Sequence, residues 1–174
     1  MKKLFAILVI LIISACSAHA GDDAWAKIER GWSRMPIKVY LDSTGDYSEM
    51  IKAGFAEWEE KSDEEVRFSF VTKPHSGYAN ITVRLVRNFT DNTAGRTNAQ
   101  MGVNKIYKSK IDIGLHDKNG RKFSNPELDI IIKHEIGHSL GLPHTKDPKS
   151  IMFPYVLPGQ TINEQDIENL LELY

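Results

Sequence analysis

The sequence predicts an α+β domain, with strands and helices closed around one sheet. Three observations point there. Apolar and polar residues alternate in several short segments, which is the period of a half-buried strand. Longer segments carry apolar residues at helical spacing. The 174 residues are 41% hydrophobic, enough to fill one core and one domain.

The first strand is "PIKVYLD", with Ile37, Val39 and Leu41 on one side and Lys38, Tyr40 and Asp42 on the other. "STGD" then turns the chain, and Asp46 followed by Glu49 resembles a capping box. Ile51, Phe55 and Trp58 form the apolar stripe of an amphipathic helix, where Phe and Trp read as core. Strands follow at "VRFSFV" (Val66, Phe68, Phe70 on one face), "ANITVRLV" (Ile81, Val83, Leu85) and "SKIDIGL" (Ile111, Ile113, Leu115). Before the last of these, a turn-rich segment reads as loop to about Thr97 and then as a short edge strand from Ala99 to Val103. "SNPELDIIIKHEIGHSL" opens a second helix, with Asn125 as cap, Pro126 in the first helical position and Gly141 as the stop. The chain ends on a third helix, capped by Thr161 with Glu164, whose stripe is Ile167, Leu170, Leu171 and Tyr174.

Residues 1–20 read as a separate object. Lys2 and Lys3 precede the apolar run "LFAILVILIISA", which is too short for a comfortable membrane span and fits a secretory signal. Two exits are open. "AHA" suits cleavage before Gly21, whereas "ISAC" resembles the bacterial lipobox and would leave a lipidated Cys16. Cys16 is the only cysteine, so no disulfide is expected. Acyl chains on Cys16 would hold the protein at a membrane surface. Either exit places the working domain outside the cytoplasm, in the cell envelope or secreted. The expected organisation is a signal over 1–20, a tail over 21–35 and a catalytic domain over 36–174. The net charge is −1, and loss of Lys2 and Lys3 with no acid takes it to −3. No polybasic surface for nucleic acid is expected.

The chemistry concentrates in "HEIGHSLGLPH", which places three of the six histidines next to one glutamate. On a helix each residue advances about 100°, so His134 and His138 project from one face, one turn apart. That spacing suits two ligands on one tetrahedral ion. Glu135 is too far round to be an easy third ligand, but it can reach a water on the metal. Gly141 lets the chain turn back, and His144 arrives as the third ligand. Three neutral histidines leave one coordination position open, the mark of a catalytic rather than a structural zinc site. Glu135 then reads as the general base of a peptide hydrolysis without a covalent intermediate. His19 belongs to the leader, and His75 and His116 are expected at the surface.

The longer pattern H-E-x-x-H-x-x-G-x-x-H, with Met152 eight residues after His144, resembles the metzincin metallopeptidases. Thr145 and "DPKSIMFPY" resemble the matrixins, the matrix-metalloproteinase-like group, within them. The resemblance implies a mixed, mostly parallel five-stranded sheet with an antiparallel edge strand, and three helices. It implies that Met152 forms a methionine turn beneath the metal, and that Pro154, Tyr155 and Val156 line the primed-side specificity pocket. It implies that Asn98, Ala99, Gln100, Met101, Gly102 and Val103 are an edge strand pairing with an extended peptide or protein substrate. The implied cofactor is one catalytic Zn2+, with structural Ca2+ left open and a monomer expected.

The departures are two. No H-x-D precedes the catalytic helix, so the second zinc of vertebrate-type matrixins is expected to be absent. No propeptide cysteine is seen either; Asp22 or Asp23 could cap the metal in its place, although solvation of the tail is the simpler role. The rival reading is a non-catalytic envelope module stapled by zinc, which would have no use for Glu135.

Overall fold

The structure, a computed structural model, describes residues 30–43, 45–72, 78–103 and 105–174. The leader with Cys16, the tail residues Asp22 and Asp23, and His75 lie outside the described residues. Among the described residues the order is β1 (Arg30–Trp32), β2 (Ile37–Asp42), α1 (Asp46–Lys61), β3 (Phe68–Val71), β4 (Ile81–Val86), β5 (Gly95–Met101), β6 (Lys105–Gly114), α2 (Asn125–Leu140) and α3 (Glu164–Leu171).

β3, β2, β4 and β6 lie side by side, all parallel. β5 runs antiparallel along one edge of β6, from Gly95 opposite Ile113 to Met101 opposite Ile106. β1 and β4 share the other edge of β6: β1 pairs with Lys105 and Ile106, and β4 with Ser109 to Gly114. The mostly parallel sheet and the three helices agree with the expected architecture.

Alternation along the strands decides which face is buried. Ile37, Val39, Ile81, Val83, Ile111 and Ile113 all point into the core. α1 and α2 cover that face. Gly54 of α1 leaves room for Ile132 and Ile136 of α2, and Phe55 meets the rings of Phe68 and Phe70 edge-on at 4.8 and 5.8 Å. The Trp58 indole N–H donates to the Lys133 carbonyl at 3.0 Å, and Lys133 Nζ bridges Glu57 and Asp129. α2 is buried along most of its length because it packs on the sheet at β5 and β6 and against α1 at its side; each fully buried Ile or Leu there contributes about 1.5–3 kcal/mol.

Several expected boundaries move. The sheet has six strands, because Arg30–Trp32, read as tail, joins it. Three residues are too few to show a period; β1 is held instead by the Trp32 indole N–H on the Ser139 carbonyl at 2.9 Å and by Gly31 N–H on the Leu173 carbonyl at 2.9 Å. β5 starts at Gly95 inside the stretch read as loop, and Gly102 and Val103 lie beyond its end. Its pairing with β6 outweighs the turn-like composition of that stretch. The caps also shift. α1 follows Gly45, with no side-chain cap, so the box expected from Asp46 and Glu49 does not form. Ser124 rather than Asn125 precedes α2, and the Ser124 N–H and hydroxyl both donate to Glu127 Oε2. Asn163 rather than Thr161 caps α3, accepting from the Asp166 N–H at 2.9 Å. Leu171 is 47% exposed because α3 ends there, and His116 is half-buried rather than at the surface.

Candidate active site

α2 brings His134 and His138 to the same face, both buried. A carbonyl can only accept, so its contact decides the tautomer of each ring. His134 Nδ1–H donates to the Ile151 carbonyl at 2.7 Å, and His138 Nδ1–H to the Leu142 carbonyl at 2.8 Å. Each ring is thereby locked with Nε2 pointing into the site. Gly141 ends the helix with φ 109°, a left-handed conformation that favours glycine. The chain folds back, and His144 Nε2 comes within 3.1 Å of His138 Nε2.

The ligand nitrogens of the three rings all lie within 4.8 Å of one another. Three nitrogens on one tetrahedral zinc, each at about 2.0–2.1 Å, sit roughly 3.3–3.4 Å apart, so modest adjustment closes the triad on an ion. His134 Nε2 is buried without a hydrogen-bond partner, the mark of an atom built for something else. Burial, then the charge of the nearby His144 ring, push His134 down to about 3, against the raising effect of its bond to Ile151. Burial, then His134 and His144, push His138 well below the ordinary histidine value. Both rings are therefore neutral at pH 7, the form that binds a metal. These residues fit a zinc ion.

The segment around Met152, expected to form a methionine turn, packs against α2 at Gly137, one residue before His138. A Cβ on Gly137 would overlap Met152 Sδ, so the absence of a side chain at Gly137 is what lets the turn press against α2. The turn is held from below by Asp166 of α3, which is fully buried. The Ser150 hydroxyl donates to Asp166 Oδ1 at 2.6 Å, and the Ile151 N–H donates to Oδ2 at 3.2 Å. The Met152 N–H donates to Ser150 Oγ at 2.9 Å, and the Thr145 N–H donates to the Met152 carbonyl at 3.0 Å. Asp166 thus fixes the floor, and the floor fixes the segment that carries His144. Its carboxyl is raised by burial, against the bonds it accepts from Ser150, Asn163 and Ile151. Sequence reasoning passed over Asp166; the signal was an acid three residues after an asparagine that can cap.

Glu135 is also fully buried. It points to β5, where the Thr97 hydroxyl lies 2.6 Å from Glu135 Oε2 and 3.0 Å from the Glu135 main-chain carbonyl. A Cβ on Gly95 would come within 2.5 Å of Glu135 Cγ and Oε1. The part of the edge strand that meets Glu135 is therefore Gly95 to Thr97, upstream of the expected Asn98–Val103. Ala99 is half-buried, and Asn98, Gln100, Met101, Gly102 and Val103 are exposed. Asn98 and Gln100 line a polar cleft with Lys108 and Lys110, on the strand face opposite to Thr97. Pro154 and Tyr155 leave the methionine turn half-buried, with the Tyr155 ring 5.5 Å from Phe153, and Val156 is buried.

Known proteins bear on this arrangement. The chain is 40% identical over 58 residues to the macrophage metalloelastase of Rattus norvegicus, covering 31% of this chain and 12% of that protein. It is 28% identical over 111 residues to the interstitial collagenase of Oryctolagus cuniculus, covering 59% and 24%. The chain thus spans less than a quarter of the length of these curated relatives. The solved structure of myroilysin superposes with a TM-score of 0.54 over 80% of this chain and 79% of that one, at 18% identity, which speaks to the fold. The family model Peptidase_M10, described as Matrixin, matches residues 32–174, a span that takes in β6, the three histidines, Met152 and α3. The chain belongs to the matrixin family.

Proposed function

We propose that the chain is a zinc-dependent endopeptidase acting outside the cytoplasm, with Glu135 as its general base. One observation carries the reading: three imidazoles whose ligand nitrogens lie within 4.8 Å, with a buried carboxylate on the residue after the first of them. When bound, zinc would lower the pKa of a water towards about 7 and polarise the scissile carbonyl. The chain's own residues do the rest. His134 and His138 stay neutral and keep Nε2 directed inward through their bonds to Ile151 and Leu142. The Glu135 carboxylate accepts a proton from the attacking water and returns it to the leaving amine nitrogen as the C–N bond breaks. Among the described residues β5 pairs with β6 alone, so its other edge, including Asn98 to Met101, can receive an extended peptide by strand addition. Pro154, Tyr155 and Val156, next along from the methionine turn, form the proposed wall of the primed-side pocket.

Glu135→Ala tests the mechanism. Peptide cleavage should fall by about 10²–10⁴-fold, while zinc content by elemental analysis and the melting temperature hold. A chelator should abolish cleavage by the parent protein and added zinc should restore it. Undiminished cleavage by Glu135→Ala would sink the base assignment, and cleavage indifferent to chelation would sink the metal. Location has its own test. Intact-mass analysis of the protein from cells should give a chain starting at lipidated Cys16 or at Gly21; a chain retaining residues 1–20 contradicts export.

A further inference from the structure

We propose that Thr97 is a positioning residue for Glu135, aiming the carboxylate through a hydrogen bond from the edge strand. The inference rests on Glu135 as the general base. Thr97 is 1% exposed, and its neighbours Arg96 and Asn98 face the other side of β5, so its hydroxyl is committed to the interior. At 2.6 Å from Oε2 the contact has the length of a charge-assisted O–H···O bond. Glu135 projects from a helix turn and has three side-chain torsions to fix. α2 supplies the position of its Cα but not the direction of its carboxylate. Two neighbours on one strand bear on that direction. Gly95 leaves the space that the side chain occupies, and Thr97 supplies the only side-chain hydroxyl on β5.

A hydroxyl suits this place in size and chemistry. A hydroxyl donates to a carboxylate and accepts from a carboxylic acid. The Glu135 carbonyl, at 3.0 Å, is an alternative acceptor for the Thr97 hydrogen, so Thr97 keeps a partner in either case. Both acceptors belong to the residue being positioned, so the contact ties the carboxylate to its own backbone.

The test replaces the hydroxyl while keeping the shape. In Thr97→Val, kcat should fall by about 10–100-fold, KM should change less than about twofold, and zinc affinity by competition should be unchanged. Thr97→Ser should recover most of the lost kcat. A crystal structure of Thr97→Val should show the Glu135 carboxylate turned from its present direction, a readout independent of turnover. Parental kcat in Thr97→Val overturns the proposal. So does a serine variant as impaired as the valine one, or a loss of kcat that tracks loss of zinc or of folded protein, since each would make Thr97 a packing residue. Should Glu135→Ala itself retain full activity, the base assignment fails instead, and the two failures are told apart.

Discussion

The wall of the site that carries the histidines is one continuous stretch of chain, whereas the wall that meets Glu135 comes from β5, 38 residues upstream. The first wall is tied together by main-chain carbonyls close in sequence. His138 is locked by Leu142, four residues on, and His134 by Ile151, seventeen residues on. The second wall acts through one side-chain hydroxyl and one missing side chain. The contrast separates two tasks. Holding a metal needs several ligands in a shape that local chain geometry can enforce. Directing Glu135, on the reading proposed above, takes a partner from across the site, and β5 supplies one. Damage to the two walls should therefore read out differently.

The largest expected effect is on the β5 side. Gly95→Ala puts a methyl group where the Glu135 Cγ and Oε1 now lie, so the carboxylate must move. A displacement of about 1 Å at a reacting group can cost about 10²-fold. We expect kcat to fall by roughly that factor while zinc affinity stays within about twofold, measured by peptide cleavage and by metal competition. Loss of zinc in parallel with activity would erase the distinction between the walls.

A smaller effect, of a different kind, is expected on the histidine side. Gly137→Ala drives a methyl group into Met152 Sδ and brings it to 3.0 Å from the Trp58 ring. Alanine gains about 1 kcal/mol of helix propensity over glycine, but overpacking a buried contact costs about 1–3 kcal/mol. The sulfur is buried and its turn is pinned by Asp166, so the overpacking should win. A net loss of about 1 kcal/mol by denaturant titration of the metal-free protein is expected, and added zinc should recover part of it. A stabilised variant would show that the methionine turn is looser than its hydrogen bonds imply.

The same division explains what could be read from the chain itself. His134, Glu135, His138 and His144 were legible because helix periodicity and one glycine turn determine their relation over eleven residues. Met152 was legible as part of the same pattern. Thr97 and Gly95 were not, because the contact of β5 with α2 depends on strand pairing across the sheet, and the composition around Gly95 is that of a loop. Asp166 was hidden for the same reason: its partners are in the methionine turn, fifteen and sixteen residues earlier. β1 had no period to show, and its place depends on Trp32 reaching Ser139, 107 residues away. Among the caps, composition pointed to the right neighbourhood and missed the residue, since Ser124 and Asn125 are both good N-caps and only the turn of the chain chooses.

That cap supplies the smallest test, at the opposite end of α2 from His138. Glu127 Oε2 accepts from the Ser124 N–H at 2.8 Å, and both carboxylate oxygens accept from Arg121 at 3.1 Å. Burial alone would raise this carboxyl; the bonds from Arg121 and Ser124 outweigh it and hold Glu127 below the ordinary glutamate value of 4.5. A depressed folded-state pKa contributes stability that is present above the unfolded value and is lost as pH falls through the folded one. Glu127→Gln should therefore be less stable than the parent at pH 7, by roughly 0.5–1 kcal/mol given the solvent screening of a partly exposed pair. The gap between the two proteins should begin to narrow below about pH 4.5 and close at lower pH, followed by thermal melts across that range. kcat at pH 7 should not change, because α2 is anchored near His134 by Trp58, Lys133 and the sheet rather than by its first turn. A fall in kcat in Glu127→Gln would mean that the cap reaches the site along the helix, and the histidine wall would then be less self-contained than its local bonds suggest.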